Sequence, residues 1–158
     1  MRALTAVALM AVTTMMVPAP IRAQQSDERR QCFAREGVAP EQKLESCTAV
    51  IQSRGQTPQG LVAALNSRGN VHLSNRNYDR AIDDYNEAIR LDPNVAAAFS
   101  GRAYALRFVG QYERAIQDYR KALTLQLDDM GRKQIETILK QLGAATERDA
   151  TPAAVTKR

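Results

Sequence analysis

The chain repeats itself at an interval of 34 residues. When the segment from Val62 to Val95 is aligned with the segment from Ala96 to Asp129, eleven positions are identical. The identities cluster in NYDRAIDDYNEAIRL (77–91) and QYERAIQDYRKALTL (111–125). A period of this length marks one supersecondary unit used more than once, and such units stack into a surface rather than enclose a catalytic pocket. The repeat therefore constrains both the fold and the class of function.

Each copy predicts two helices. In the first copy they cover about 59–74 and 78–91, and Asp92-Pro93 ends the second because proline cannot continue a helix. The second helix places small and aromatic residues on one stripe, with Tyr85 between Ala81 and Ala88. The second copy repeats this pattern with Ala115, Tyr119 and Ala122.

These residues resemble the tetratricopeptide repeat family, and small exported bacterial members of it in particular. The matching positions are Gly69, Tyr78, Ala81, Tyr85, Ala88 and Pro93, then Ala103, Tyr112, Ala115, Tyr119 and Ala122. The chain departs from the family pattern at Leu65, Phe99, His72, Leu106 and Leu127. The resemblance implies an all-α solenoid of helix-turn-helix repeats, with two clear repeats.

A helical hairpin is predicted before the repeats, over residues 24–58. Its helices would be Ser26–Arg35, with Ser26 as N-cap, and Pro40–Ser53. Cys32 and Cys47, the only two cysteines, would face each other across the hairpin, and we expect a structural disulfide between them. A pair of free buried thiols and a redox or metal role are the alternatives. The hairpin would be a degenerate repeat that caps the first true one.

The first 23 residues are typical of a secretory signal peptide. Arg2 precedes an apolar run from Ala3 to Val17, and cleavage is expected after Ala23. An uncleaved anchor helix is the alternative, but a span needs about 20 apolar residues and this run is shorter. We therefore expect a periplasmic or secreted protein with no membrane insertion after signal removal.

The segment after the second repeat predicts a capping helix and a tail. Ile135, Ile138, Leu139 and Leu142 form an apolar stripe on a helix over 129–142, opposite Lys133, Glu136 and Lys140. Gly143 is expected to end this helix. The predicted repeat domain with its cap is therefore 59–142, and 143–158 is predicted to be a disordered tail.

Composition and charge argue against nucleic acid as the ligand. The formal net charge is +5, from 22 basic and 17 acidic side chains. Nucleic-acid binding needs cations concentrated on one face, whereas here they alternate with carboxylates, and the basic excess lies in residues 130–158.

No catalytic or metal-binding constellation is recognisable in the sequence. His72, the single histidine, occupies a helix-packing position and has no activated nucleophile beside it. Asp83 and Asp84 diverge by about 100 degrees on a helix, so they are interpreted as an exposed acidic face and not as a metal site. We expect no enzyme activity, no cofactor and no metal.

The resemblance implies that partners bind the concave face built by the first helix of each repeat. The candidate protein- or peptide-binding residues at those positions are Asn66, Asn70, Leu73, Ser100, Tyr104, Arg107 and Phe108. A clamp for C-terminal carboxylates, known in the family, is not matched, because Asn66 and Gly101 stand where Lys and Asn are expected. The alternative to partner binding is a self-associating scaffold of the cell envelope, a homo-oligomer joined through the capping helix.

Overall fold

The computed structural model describes residues 19–149, and within that range helices are the only regular secondary structure. Residues 1–18, most of the predicted signal, and 150–158, most of the predicted tail, lie outside it. The seven helices of the described range are α1 (Ala19–Phe33), α2 (Pro40–Gln52), α3 (Pro58–Ser74), α4 (Tyr78–Leu91), α5 (Ala96–Phe108), α6 (Tyr112–Leu123) and α7 (Asp129–Asp149). This confirms the predicted fold class.

Consecutive helices pack as antiparallel hairpins that stack on one another. The hairpins are α1–α2, α3–α4 and α5–α6, with α2 against α3, α4 against α5, and α7 against α6. The second helix of each repeat thus packs on both helices around it, as a solenoid requires.

No helix of residues 19–149 is long and apolar enough to cross a membrane.

The N-terminal hairpin is closed by the predicted disulfide. Cys32 in α1 and Cys47 in α2 are bonded, with their Cα atoms 4.7 Å apart, and both are fully buried. They pack with Val50 of α2 and Ala64 of α3. The bond therefore lies at the contact between the hairpin and the first repeat.

Two predicted helix ends differ from the structure. Ser26 is not an N-cap, because α1 begins at Ala19 and the Ser26 hydroxyl donates to the Ala23 carbonyl within the helix. At the other end, α7 passes Gly143 and continues to Asp149, so the segment 143–149 is not a disordered tail. A single glycine costs a helix only about 1 kcal/mol relative to alanine, and the Ala, Glu and Arg that follow favour helix.

The predicted cap helix has the expected two faces. Ile135 and Leu142 are buried against the second repeat, and Ile138 and Leu139 pack beside them. The polar residues Lys133, Glu136 and Lys140 are exposed. Because this outer face is polar, α7 ends the apolar core.

The turn inside each repeat requires a left-handed residue. The position is Arg76 in the first repeat, with φ of 58°, and Gly110 in the second, with φ of 78°. In both turns a backbone N–H closes the helix end, from Asn77 to the His72 carbonyl and from Gln111 to the Leu106 carbonyl. Glycine adopts this conformation without steric cost, whereas arginine does not.

Arg76→Gly should therefore stabilise the protein by about 1 kcal/mol, because it removes the left-handed strain at an exposed site. The expected rise in melting temperature is roughly 4 °C. Gly110→Ala is the matched control and should lower the melting temperature. Thermal unfolding followed by circular dichroism measures both melting temperatures. A lower melting temperature for Arg76→Gly than for the wild type would show that the Arg76 backbone is not strained.

Candidate functional site

The first helices of the repeats, α3 and α5, form one concave face with α7. A cavity of about 360 Å³ opens between them. Its lining residues come from these three helices, from α6 and from the α6–α7 connection: Asn70, Leu73, Ala97, Ser100, Gly101, Tyr104, Tyr119, Leu127, Gly131, Gln134, Ile135 and Ile138. Pockets of this size with a mainly apolar lining are typical of ligand sites.

A second, more open cavity of about 500 Å³ adjoins the first. The two share Tyr104, Gln134 and Ile138. The second cavity adds polar and basic groups, namely Arg107 from α5 and Lys133, Thr137 and Gln141 from α7. Together the cavities make a groove that is apolar at one end and basic at the other; we call it the concave groove.

Aromatic side chains lie at the edge of the concave groove. Phe108 stacks on Tyr78 with ring centroids 4.9 Å apart and an interplanar angle of 8°, and the Tyr104 ring lies 4.9 Å from Phe108, tilted by 48°. Arg107 lies over both rings, 5.6 Å from the Tyr104 centroid and 5.3 Å from that of Phe108. Tyr104 and Phe108 are nevertheless 39% and 47% exposed. Exposed aromatic and arginine side chains are the types that most often anchor protein partners.

Tyr85 connects the repeat core to the concave groove. It is fully buried, and a Cβ atom at Gly69 or Gly101 would lie only 2.9 or 2.5 Å from its ring. Its hydroxyl donates a hydrogen bond of 2.7 Å to Asn70 Oδ1. The Asn70 carbonyl is thereby occupied and its amide oriented, so its NH₂ group is positioned to donate to a ligand.

Tyr119 holds the same place in the second repeat but has no such partner. The residue aligned with Asn70 is Tyr104, which offers no amide, and the Tyr119 hydroxyl is buried without a hydrogen bond among the described residues. Burial raises the pKa of Tyr119 to about 12, so the hydroxyl keeps its proton and remains a donor. An unpaired donor thus lies in the wall of the first cavity.

Removal of the two tyrosine hydroxyls should have opposite effects on stability. Tyr85→Phe breaks a hydrogen bond and should cost about 1 kcal/mol, whereas Tyr119→Phe removes an unsatisfied buried group and should cost nothing or stabilise. Thermal unfolding of the two variants beside the wild type measures the difference. Equal losses of stability in both variants would show that the Tyr119 hydroxyl is already paired.

Two buried ion pairs hold the helices that present the concave groove. Arg68 on α3 contacts Asp84 on α4 at 2.6 Å, and Arg102 on α5 contacts Asp118 on α6 at 2.7 Å. Each arginine also reaches the preceding hairpin, with Arg68 donating to Thr48 Oγ1 and Arg102 to Asn86 Oδ1. One side chain therefore joins three helices, and the arrangement recurs in both repeats.

This network corrects the interpretation of Asp84. It is not part of an exposed acidic face, because only 5% of it is exposed, whereas Asp83 beside it is exposed. His72 is also buried, with Nε2 3.9 Å from Asp84 Oδ2. Burial lowers the pKa of His72, although Asp84 acts in the opposite direction. The environment of His72 is thus a packed interface between helices.

No metal site is evident in the part of the chain that the structure describes. Among residues 19–149, no group of three or more His, Cys, Asp or Glu side chains lies close enough to hold an ion. The polar groups of the concave groove are amides, hydroxyls and two cations, which suit hydrogen bonding to a ligand.

The structure brings together most of the predicted binding residues. Asn70, Leu73, Ser100 and Tyr104 line the first cavity, and Tyr104 and Arg107 line the second. Phe108 lies beside them in the aromatic cluster. The exception is Asn66, which is half-buried, lines neither cavity and has its Oδ1 atom buried without a hydrogen bond.

Sequence reasoning missed Tyr119 and the contribution of α7. No repeat signal pointed to α7, since a second shift by 34 residues aligns 96–108 with 130–142 without an identical position. Three α7 residues nevertheless line the concave groove, namely Gln134, Ile138 and Gln141. The capping helix therefore also supplies one wall of the concave groove.

Comparison with known proteins supports the repeat pattern of the segment before α7. Two family models described as tetratricopeptide repeat match the chain, one over residues 62–95 and one over residues 84–117. The first match coincides with the first copy of the internal repeat. None of the curated proteins compared with the chain matches it.

Proposed function

Because residues 62–117 of this chain are tetratricopeptide repeats, we propose that the protein binds an extended segment of a partner protein in its concave groove. The observation that carries this proposal is the groove across α3, α5 and α7, in which exposed Tyr104 borders both cavities and half-buried Arg107 lies at the basic end. Repeats of this family generally mediate protein–protein interaction. We propose a non-catalytic role, since the groove presents no combination of nucleophile, base and acid.

The proposed setting is outside the cytoplasm, in the periplasm or in secreted form. Two features support it: the signal-like segment of residues 1–23 and the Cys32–Cys47 disulfide, since such bonds persist in oxidising compartments. N-terminal sequencing of the protein recovered from the cell envelope tests it. A mature chain that begins near Gln24 is expected, and a cytoplasmic chain with reduced cysteines would contradict it.

In-cell photo-crosslinking tests the proposed binding face. A photoreactive amino acid at Ser100, which lines the concave groove, should capture a partner protein, whereas one at Gln117 on the outer helix α6 should not. Mass spectrometry then identifies the captured protein and the segment attached. Equal capture from both positions would show that the concave groove is not the binding face.

Self-association is the second candidate, and it has less support. Its proposed contact, the outer face of α7, exposes Glu136 and Lys140, which are poorly suited to an end-to-end apolar interface. Light scattering over a range of concentrations distinguishes the two functions, since a strict monomer leaves only partner binding.

A further inference from the structure

We infer that the concave groove selects one kind of peptide: an extended segment in which a bulky apolar residue is followed within one or two positions by Asp or Glu. This inference rests on the proposed function and specifies its partner. The two requirements come from the two ends of the concave groove, which differ in chemistry.

The apolar requirement comes from the first cavity. Its lining includes four large aliphatic residues from three different segments of the chain, namely Leu73, Leu127, Ile135 and Ile138. At about 360 Å³ the cavity has room for one leucine, isoleucine or phenylalanine side chain, and burial of such a side chain contributes roughly 1.5–3 kcal/mol to binding. Smaller side chains would leave the cavity partly unfilled.

The acidic requirement comes from the second cavity. Arg107 and Lys133 both line it, and among the side chains that the structure describes, 23–143, no Asp or Glu lines either cavity. Within the same range neither cation forms a salt bridge with a carboxylate; Arg107 lies instead over the rings of Tyr104 and Phe108. Two cations without an acidic partner make this end of the concave groove complementary to a carboxylate.

The spacing between the two requirements follows from the shared wall. Tyr104, Gln134 and Ile138 border both cavities, so the two sites adjoin. Successive residues of an extended peptide are about 3.3 Å apart, and neighbouring cavities are reached by residues one or two positions apart.

The peptide backbone is expected to pass the exposed Asn70 amide in the first cavity. The Tyr85 hydroxyl orients this amide, so its NH₂ group is positioned as a donor to the backbone. Backbone carbonyls of an extended segment are acceptors of the required kind. The acidic group is assigned to a side chain and not to a chain terminus, because the second cavity is open and continues past Lys133 to Thr137 and Gln141.

Selection from a random peptide library tests the inference. The probes are octapeptides displayed as an internal loop, so that no free C-terminal carboxylate is present, and the target is the chain purified with its disulfide intact. We expect enrichment of Leu, Ile, Phe or Met followed within two positions by Asp or Glu. Enrichment of basic residues, or of apolar residues without an acidic neighbour, would overturn it, as would binding that requires a free C-terminus.

Matched variants test which side chains of the protein select the acidic residue of the peptide. Arg107→Gln combined with Lys133→Gln should reduce the preference for the acidic residue at least tenfold, whereas Arg120→Gln combined with Lys140→Gln, both exposed outside the concave groove, should leave it unchanged. Equal preference in both double variants would overturn the assignment of the acidic site.

Other outcomes separate this inference from the proposed function. If selected peptides require Tyr104 but follow another pattern, the specificity is wrong and groove binding stands. If no selected peptide depends on Tyr104, both fail.

Discussion

Replacement of Asp84 by alanine should lower the free energy of unfolding by about 3 kcal/mol and the melting temperature by about 10 °C. The carboxylate accepts from Arg68 Nε and Nη2, with its closest contact at 2.6 Å, and its side chain is only 6% exposed. Without the Asp84 carboxylate, the Arg68 cation would remain in a largely buried interface, where its side chain is 22% exposed. Its remaining hydrogen-bond partner there would be Thr48. An unpaired buried charge is far more costly than the pair itself is favourable.

Two controls separate loss of the pair from loss of a side chain. Asp83→Ala, at the exposed neighbouring position, should change the free energy of unfolding by less than about 0.5 kcal/mol. Arg68→Met combined with Asp84→Leu should recover most of the loss, since an apolar pair of similar volume leaves no buried charge. Chemical denaturation of the four proteins measures these differences, and an Asp84→Ala variant as stable as Asp83→Ala would refute the account.

Removal of the disulfide is expected to have an effect of similar size. Cys32→Ala combined with Cys47→Ala opens a loop with a sequence separation of 15, which should destabilise the protein by about 3 kcal/mol through greater freedom of the unfolded chain. Thermal unfolding of the double variant should show a melting temperature about 10 °C lower. Loss of protection from hydrogen exchange should be greatest in α1 and α2, since the bond closes their hairpin.

The oxidised and reduced wild type provide the control for the disulfide. Both sulfurs are fully buried, so mild reductant should act slowly on the folded protein and quickly once denaturant is added. The reduced wild type and the double alanine variant should then have similar stabilities. If the alanine variant melts within about 2 °C of the oxidised protein, the hairpin does not depend on its bond.

Periodicity was sufficient to predict the helices because it reports packing directly. Tyr78 and Leu91 were predicted as the bounds of the second helix of the first repeat, and α4 has those bounds. The stripe of Ala81, Tyr85 and Ala88 is fully buried as expected. Helix ends without a steric signal were less predictable, since Gly143 only weakens a helix that its neighbours favour.

The polar core was harder to predict, although the repeat contained its signal. Arg68 and Asp84 are both retained in the second copy, as Arg102 and Asp118, whereas Asp83, Glu87 and Arg90 are replaced by Gln117, Lys121 and Thr124. Composition alone cannot distinguish a solvated charge from a paired one, because the distinction depends on which helices meet. The pairing of the two positions, 16 residues apart, becomes visible only when the hairpin is folded.

The candidate site, like the core, was predictable from the sequence only in part. Identity between the copies lies mainly in the second helices, which pack the core, whereas the concave positions differ, as Asn70 and Tyr104 do. That difference is why the Tyr85 hydroxyl is paired and the Tyr119 hydroxyl is not. The family pattern predicts the concave face, but which of its side chains face a cavity depends on the packing of α7.

Titration of the crosslinked partner segment against purified protein tests groove binding most directly. Tyr104→Ala combined with Arg107→Ala should raise the Kd at least about 30-fold, since aromatic and arginine anchors each contribute about 2 kcal/mol or more. Asp83→Ala combined with Arg120→Ala, at exposed positions on the outer helices α4 and α6, should leave the Kd within about twofold. Isothermal calorimetry that returns the same Kd for both double variants would contradict binding in the concave groove.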